Sequence, residues 1–205
     1  MTVIVHGEIE QGTEAWYKIR LGLPTASMFS AVLAKGEGKT RRSYLLKLAG
    51  ERLTGEPTES YSNPYMERGK DMEAEARDLY AFHSGARPTQ VGFITNGQKG
   101  CSPDSLIGDV GMLEIKTKRS DLLIDVILKD ELPPEHKAQC QGALWVAERE
   151  WLDFVAYWPN LPLFLKRVTR DERYIQTLAT EVDRFNAELD DIVSQIRTRG
   201  EALAA

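Results

Sequence analysis

The chain is poor in the residues that most often build metal centres. Among 205 residues there are two cysteines and three scattered histidines. That ligand count speaks against a structural zinc or iron–sulfur site. Cys101 and Cys140 alone make no disulfide framework, so a reducing compartment, the cytoplasm, is expected. No window reaches the roughly 18 uninterrupted apolar residues of a membrane span. The N-terminus, MTVIVHGEIEQG, has neither the basic start nor the long apolar run of a signal peptide. Internal repeats, low-complexity tracts and linkers are lacking as well. A chain of this length is expected to form one domain, residues 1–205, with a substantial core.

Basic residues are outnumbered, 26 Lys and Arg against 31 Asp and Glu, for a net charge of −5. The sum argues against a nucleic-acid partner, but the distribution points the other way. Lys35, Lys39, Arg41, Arg42 and Lys47 cluster against a single Glu37, and Lys116, Lys118 and Arg119 form a second group. Acid is concentrated between Glu181 and Asp191. A basic cleft on an acidic molecule is therefore compatible with the composition. Solvated helix faces would leave the same clusters.

Along the chain, residues 13–21 carry Trp16 and Ile19 at helical spacing behind Thr13 as N-cap, and Gly22 is the stop. After Pro24, a second short helix is expected to begin at Thr25. Arg20 would then stand beside free N–H groups at a helix start, a combination suited to a phosphate. An arginine salt bridge next to an ordinary cap is the alternative. The GEGKT sequence at 36–40 is no nucleotide-binding loop, because the earlier glycine of that pattern is replaced by Leu33.

Residues 40–54 are helical in pattern, with Tyr44, Leu45, Leu48 and Leu53 as core positions. Asn63-Pro64 opens a helix that runs to about His83 and stops at Gly85. Its apolar line holds Met72, Ala76, Leu79 and Tyr80. Glu73 lies at the border of that line, while Glu67, Asp71, Glu75 and Asp78 point to solvent. Thr89–Thr95 is expected as one strand, followed by an Asn96-Gly97 turn. In Met112–Thr117, Leu113 and Ile115 face one way, Glu114 and Lys116 the other. A loop with a short helix follows over 119–129. Pro134 opens a helix bearing Ala138, Leu144 and Trp145, with Gln139 and Gln141 as polar interruptions. Two strands, 151–158 and 163–168, surround a Pro159-Asn160 turn. A long amphipathic helix closes the chain, with Tyr174, Leu178, Val182, Phe185, Leu189, Ile192 and Ile196 on one side. This order fits an α/β fold, a sheet flanked by helices.

The segment CSPDSLIGDVGMLEIKTK, residues 101–118, concentrates the chemistry. Phosphodiester hydrolysis requires an activated water, neutralised phosphoryl oxygens and a stabilised leaving oxygen, all of which divalent cations can supply. Hard cations take oxygen ligands. Asp104 and Glu114 qualify if their strands are neighbours, with the Ile115 backbone carbonyl as a further donor. Lys116, on the face of Glu114, would orient the attacking water and offset transition-state charge. A surface hairpin with a cross-strand salt bridge would carry the same triplet. Asp109, beside Gly108, belongs to the turn.

The same segment resembles the PD-(D/E)xK nuclease core. More narrowly, the chain resembles the phage-lambda-type exonucleases, the viral recombinase or alkaline exonuclease group. The resemblance is carried by QGTEAWYKIRLGLPTAS, ERGKDMEAEARDLYAFHSG, CSPD, LEIK and HKAQCQGALWV in that order. It implies a restriction-endonuclease-like fold with a central mixed sheet flanked by helices. The implied activity is Mg²⁺-dependent 5′→3′ digestion of linear double-stranded DNA, with Mn²⁺ able to substitute for a pair of Mg²⁺ ions. The product carries a 3′ single strand for annealing recombination. Asp104, Glu114 and Lys116 match the catalytic centre, Glu73 an assisting glutamate at the metal, and Gln139 a helix glutamine near the scissile phosphate. Arg20, Ser27 and Ser102 match positions that hold a 5′-terminal phosphate. The group further implies a homotrimeric ring, a phage single-strand annealing partner, and a phage or prophage protein in the bacterial cytoplasm. Lys35, Lys39, Arg41 and Arg42 align with no motif of the group and stand as DNA-backbone candidates. A site- or structure-specific endonuclease on the same fold, and a silent DNA-binding module, remain as alternatives. A nuclease with an iron–sulfur cluster is disfavoured by the cysteine count.

Overall fold

A computed structural model describes residues 2–34, 39–58 and 64–204. Five strands form the main sheet: β2 (Pro88–Thr89), β5 (Ser105–Ile107), β6 (Gly111–Thr117), β7 (Trp151–Tyr157) and β8 (Phe164–Thr169), in the order β2-β5-β6-β7-β8. All neighbours run antiparallel except β6 and β7, which are parallel from Gly111↔Trp151 to Thr117↔Tyr157. A parallel pair needs a crossover. Here it is made by α5 (Ser120–Lys129) and α6 (Lys137–Ala147). Three short strands, β1 (Val3–His6), β3 (Phe93–Asn96) and β4 (Gly100–Cys101), form a second antiparallel sheet in the order β1-β3-β4. The mixed sheet flanked by helices is the expected fold class.

Both faces of the main sheet are covered, so β6 reads as a continuous buried run rather than an alternating one. Met112, Leu152, Phe154 and Ala156 face a large core shared with α6, with α2 (Phe29–Val32), with α3 (Lys39–Thr54) and with α7 (Glu172–Ala204). Leu113, Ile115, Val155 and Tyr157 face the other way, onto Met72, Ala76 and Tyr80 of α4 (Pro64–Ser84). The alternation of a strand thus sends consecutive residues of β6 into two separate cores. Helix α4 ends as expected: Gly85 takes a left-handed φ of 69° and its N–H donates to Ala81 O at 2.9 Å.

Several expectations need correction. Thr89–Thr95 is not one strand. The chain leaves the five-stranded sheet after Thr89 and enters the three-stranded sheet at Phe93. Gly92 sits at the break, where a Cβ would lie 1.8 Å from Ile9 O, so the backbone passes too close to the N-terminal turn for any side chain. Strand β1 had no clear pattern because Ile4 and Val5 are exposed. The helix expected at Thr25 is a three-residue 3-10 turn, Ala26–Met28, leading into the four-residue α2. Likewise Pro134–His136 form a 3-10 turn, and α6 proper starts at Lys137. The apolar stripe of α7 leaves the core after Val193, and Ile196 is exposed.

Candidate active site

The β5–β6 hairpin brings the acids of residues 101–118 together. Its turn is made by Gly108 at φ 52° and by Asp109, which serves the turn as expected. Asp104 stands just before β5 and extends the ladder, its N–H donating to Leu113 O at 3.1 Å. Its carboxylate accepts the Ile115 N–H at 2.5 Å. In an extended strand the N–H and C=O of one residue leave on the same edge, so the Ile115 carbonyl is directed to the side of Asp104. Glu114 is buried on the α6 face. Its carboxylate pairs with Lys116 Nζ at 2.6 Å and accepts a hydrogen bond from the amide of Gln139 on α6. The ion pair is therefore made along one strand face, inside the protein, and not across a surface hairpin.

Glu73 arrives from the opposite face of the sheet. It lies at the border of the buried side of α4, where Arg77 one turn later pairs with it. Glu73 and Asp104 line one cavity of about 440 Å³, together with Glu8, Glu10 and Gln11. The Gln11 amide donates to Val91 O at 2.9 Å and Pro103 O at 3.2 Å, which fixes the loop just before Asp104.

Burial and then the charges of Glu114 and Glu73 push the Asp104 carboxyl well above the usual carboxylate range. Lys116 is pulled down by burial, but Glu114 and Asp104 outweigh this and hold its ammonium above its ordinary value. Such crowding of carboxylates around one half-buried lysine leaves a local excess of negative charge. Oxygen donors in that state suit a hard divalent cation. Among the described residues, no three His, Cys, Asp or Glu side chains already stand in a metal-binding cluster. The protein's own donors, Ile115 N–H, Lys116, Gln139 and Arg77, occupy the carboxylates instead.

A second, small cavity of about 30 Å³ opens beside Glu114 and Gln139, lined by Arg20, Ser27 and Ser102. It has space for a few water molecules, the size of a tetrahedral anion rather than a base. Arg20 ends α1 (Glu14–Arg20), whose N-cap Thr13 accepts from Trp16 N at 3.4 Å. The Arg20 guanidinium lies 3.6 Å over the Trp16 ring, and burial lowers its pKa. Among the described residues it makes no ion pair, and Glu51 acts on it only as a more distant charge. Trp16 also donates its indole N–H to Ser102 Oγ at 3.1 Å and to Gly92 O at 2.9 Å. Thr25 Oγ1 and Ser27 Oγ are 3.3 Å apart. The expected helix-start contribution is corrected: a short 3-10 turn carries little dipole, and the Thr25 N–H is already donated to Tyr44 Oη at 3.1 Å.

The remaining basic candidates divide. Lys35 and the side chain of Lys39 lie outside the described residues. Arg41 is bound on both sides of its fork by Glu188 of α7, at 2.7 and 2.9 Å, so its charge is committed to packing of α3 on α7. Arg42 is exposed on α3. In the second basic group, Lys118 pairs with Glu135 at 3.2 Å and Arg119 with Asp121 at 2.7 Å. Trp16, Gln11 and Arg77 were not among the expected site residues. Trp16 sits on the helical period of a core position and the partners of Gln11 are 80 or more residues away, whereas the i,i+4 spacing of Glu73 and Arg77 was a local signal that could have found Arg77.

The fold is that of alkaline exonuclease structures. The chain superposes on the alkaline exonuclease LHK-Exo from Laribacter hongkongensis with a TM-score of 0.85 and 35% identity, over 93% of this chain and 100% of that one. The structure of LHK-Exo in complex with dAMP matches with a TM-score of 0.86 and 36% identity, over the same shares, 93% and 100%. A phage-related exonuclease from Haemophilus somnus 129PT shares the fold, with a TM-score of 0.65 and 14% identity over 85% of this chain and 96% of that one. Among curated proteins there is no significant match. Residues 15–150 match the YqaJ-like viral recombinase domain, and the chain belongs to that family.

Proposed function

We propose that this protein, acting as one domain over residues 1–205, is a divalent-metal-dependent exonuclease that degrades linear double-stranded DNA from 5′ ends. The reading is carried by one observation: an arginine without an ion pair among the described residues, two serines and the buried Glu114, itself paired with Lys116, meet at one small cavity. It is supported by membership of the YqaJ-like viral recombinase family and by likeness to LHK-Exo, an alkaline exonuclease. Digestion in the 5′→3′ direction would leave 3′ single strands for annealing recombination.

Asp104, Glu114, the Ile115 carbonyl and Glu73 are the residues that would hold Mg²⁺, as two ions, or Mn²⁺ in its place. Bound there, such cations would supply an acidified water and neutralise charge on the phosphoryl oxygens. Lys116 keeps its proton at Nζ and directs it at the reacting oxygens, 2.6 Å from Glu114. Gln139 orients Glu114 and faces the scissile phosphate. Arg20, Ser27 and Ser102 bind the terminal phosphate and so set which bond reaches the acids. Arg42, with Lys35 and Lys39, serves as a backbone contact. A homotrimeric ring around DNA, a phage annealing protein as partner, and the cytoplasm of a bacterial host complete the proposal. No helix among the described residues is long and apolar enough to cross a membrane.

The test is a time course on linear duplexes and covalently closed circles, with Mg²⁺ or chelator, beside a mass measurement of the assembly. Mg²⁺-dependent loss of the 5′-ended strand, with intact circles, is expected. Cut circles would replace the proposal with an endonuclease. No metal-stimulated turnover on any substrate would leave a DNA-binding module.

A further inference from the structure

The segment that carries Arg20 and Ser27 is gripped by side chains that do not line the small cavity. Two consecutive residues of α3 hold both backbone polar groups of one residue, Gly22, and so the two peptide units that flank it. The Gly22 N–H donates to Glu51 Oε2 at 3.0 Å, and Arg52 Nε donates to Gly22 O at 2.8 Å. Glu51 is only 7% exposed, and its carboxylate is lodged inside the protein between Gly22 and Lys47, whose Nζ lies 3.9 Å away. Its other oxygen accepts the Thr58 N–H at 3.4 Å. Arg52 is braced in turn by Asp190 of α7, Nη1 to Oδ1 at 2.5 Å. Gly22 itself takes a φ of 65°, and a Cβ there would stand 2.2 Å from Arg52 Cγ. The close approach of the arginine stem thus depends on glycine. Farther along the segment, Tyr44 of the same helix accepts the Thr25 N–H.

An ordinary helix stop requires none of this. Gly22 could close α1 with water on its polar groups. Instead two charged side chains, the buried Glu51 and the half-buried Arg52, clamp the backbone two residues after Arg20. Arg20 has the opposite character. Its guanidinium stacks on the Trp16 ring and makes no ion pair among the described residues, Glu51 acting on it only as a more distant charge, so its position depends on the backbone beneath it.

We infer that Glu51 and Arg52 are positioning residues for terminal-phosphate recognition: by clamping Gly22 through its N–H and its carbonyl they fix Arg20 relative to Ser27 and Ser102. The inference rests on the proposed terminal-phosphate role of the small cavity. Clamp variants should lower discrimination between ends before they lower cleavage as such, because Asp104, Glu114 and Lys116 stand at the β5–β6 hairpin and Glu73 on α4, outside the clamped segment.

The experiment measures loss of the 5′-ended strand from duplexes with 5′-phosphate or 5′-hydroxyl ends. The variants are Glu51→Ala, Glu51→Gln, Arg52→Lys, Arg20→Ala and the Glu51→Ala/Arg20→Ala double variant. Glu51→Ala should reduce kcat/KM on phosphorylated ends by about tenfold and leave hydroxyl ends nearly unchanged. Glu51→Gln keeps an acceptor for the Gly22 N–H and should recover most of the loss. Arg52→Lys keeps charge near Asp190 but loses the donation to Gly22 O, and should act like Glu51→Ala if that variant melts too low to assay. In the Arg20→Ala background, Glu51→Ala should change the end preference no further. Equal losses on both ends, or a further loss of preference in the double variant, would overturn the clamp. Should Arg20→Ala keep the wild-type preference, the phosphate-pocket reading falls and the clamp with it. Should Arg20→Ala erase the preference while Glu51→Ala and Arg52→Lys retain it, only the clamp falls.

Discussion

Glu73 and Glu114 approach Asp104 from opposite faces of the five-stranded sheet. Glu114 belongs to the α6 side, Glu73 to α4, and Asp104 stands at the strand edge between them. Asp104 therefore bears the repulsion of both carboxylates on top of its own burial, and its proton affinity in the folded state is raised. In the proposed function a divalent cation would offset this repulsion. Without the cation, the folded state carries the cost.

That cost is measurable. With the folded-state pKa above the unfolded one, the native protein binds more protons between the two values, so stability falls as pH rises through that window and stays low above it. Asp104→Asn removes the charge and keeps an oxygen to accept the Ile115 N–H. In chelator at pH 8 it should raise Tm by about 2–4 °C. The gain should vanish below the ordinary carboxylate value of 3.8. Cleavage should be lost. A lower Tm at pH 8 in differential scanning fluorimetry would mean that Asp104 is not strained by its neighbours.

Lys116→Ala separates chemistry from folding differently. Nζ is 2.6 Å from Glu114, and Glu114 retains the Gln139 amide when the lysine is removed. Turnover should fall by about 10³-fold, the scale of a lost preorganised charge at the reacting atoms. The circular dichroism spectrum should be unchanged and the melt should stay cooperative. Turnover within a few-fold of wild type would remove Lys116 from the mechanism.

The hairpin, the long helices and the members of the acid–acid–lysine set were legible because each depends on local spacing. Alternation in Met112–Thr117 already separated Leu113 and Ile115 from Glu114 and Lys116, and the structure places them on opposite faces. Glu73 at the border of a helical stripe was legible in the same way. Periodicity carries no information on contacts between distant segments. The Gln11 amide on Pro103 O, 92 residues away, and the Trp16 indole on Ser102, 86 away, leave no local trace. Nor did composition reveal that Arg41 is spent on Glu188, since a cluster of positive charge looks the same whether paired or free. The break at Gly92 was missed for a related reason: the atom that demands glycine there is Ile9 O.

Helix α4 is tied to the sheet by a buried polar contact two turns beyond Glu73. Tyr80 donates its hydroxyl to Asp153 Oδ2 at 2.8 Å, and Arg167 holds the same carboxylate through two bonds of 2.8 and 2.9 Å. Asp153 is 2% exposed, and Arg167 lies 3.8 Å over the Trp151 ring. Tyr80→Phe removes one neutral donor and leaves the charge paired, so it should cost about 1–2 kcal/mol. Arg167→Ala strands a buried charge. Its partner is half exposed, which moderates the loss to about 2–3 kcal/mol. Urea titration should rank the two in that order. Equal costs would mean that solvent replaces Arg167 at Asp153.

His136 supplies a pH dependence of opposite sign to Asp104. Its ring packs 5.0 Å from Phe154. Burial, then Lys118 and Lys116, lower its pKa from 6.5 to about 4, and Glu135 offsets this only partly. Between those values the unfolded chain binds a proton that the native protein does not, so stability is lost as pH falls from about 6.5 through about 4. Asp104 gains stability in acid, so the wild-type curve alone mixes the two. His136→Phe keeps a ring against Phe154 and cannot be protonated. The variant should lose about 1–2 kcal/mol less than wild type between pH 7 and pH 4. Parallel urea midpoints for the two proteins across that range would show that protonated His136 is accommodated, with Glu135 as its counter-ion.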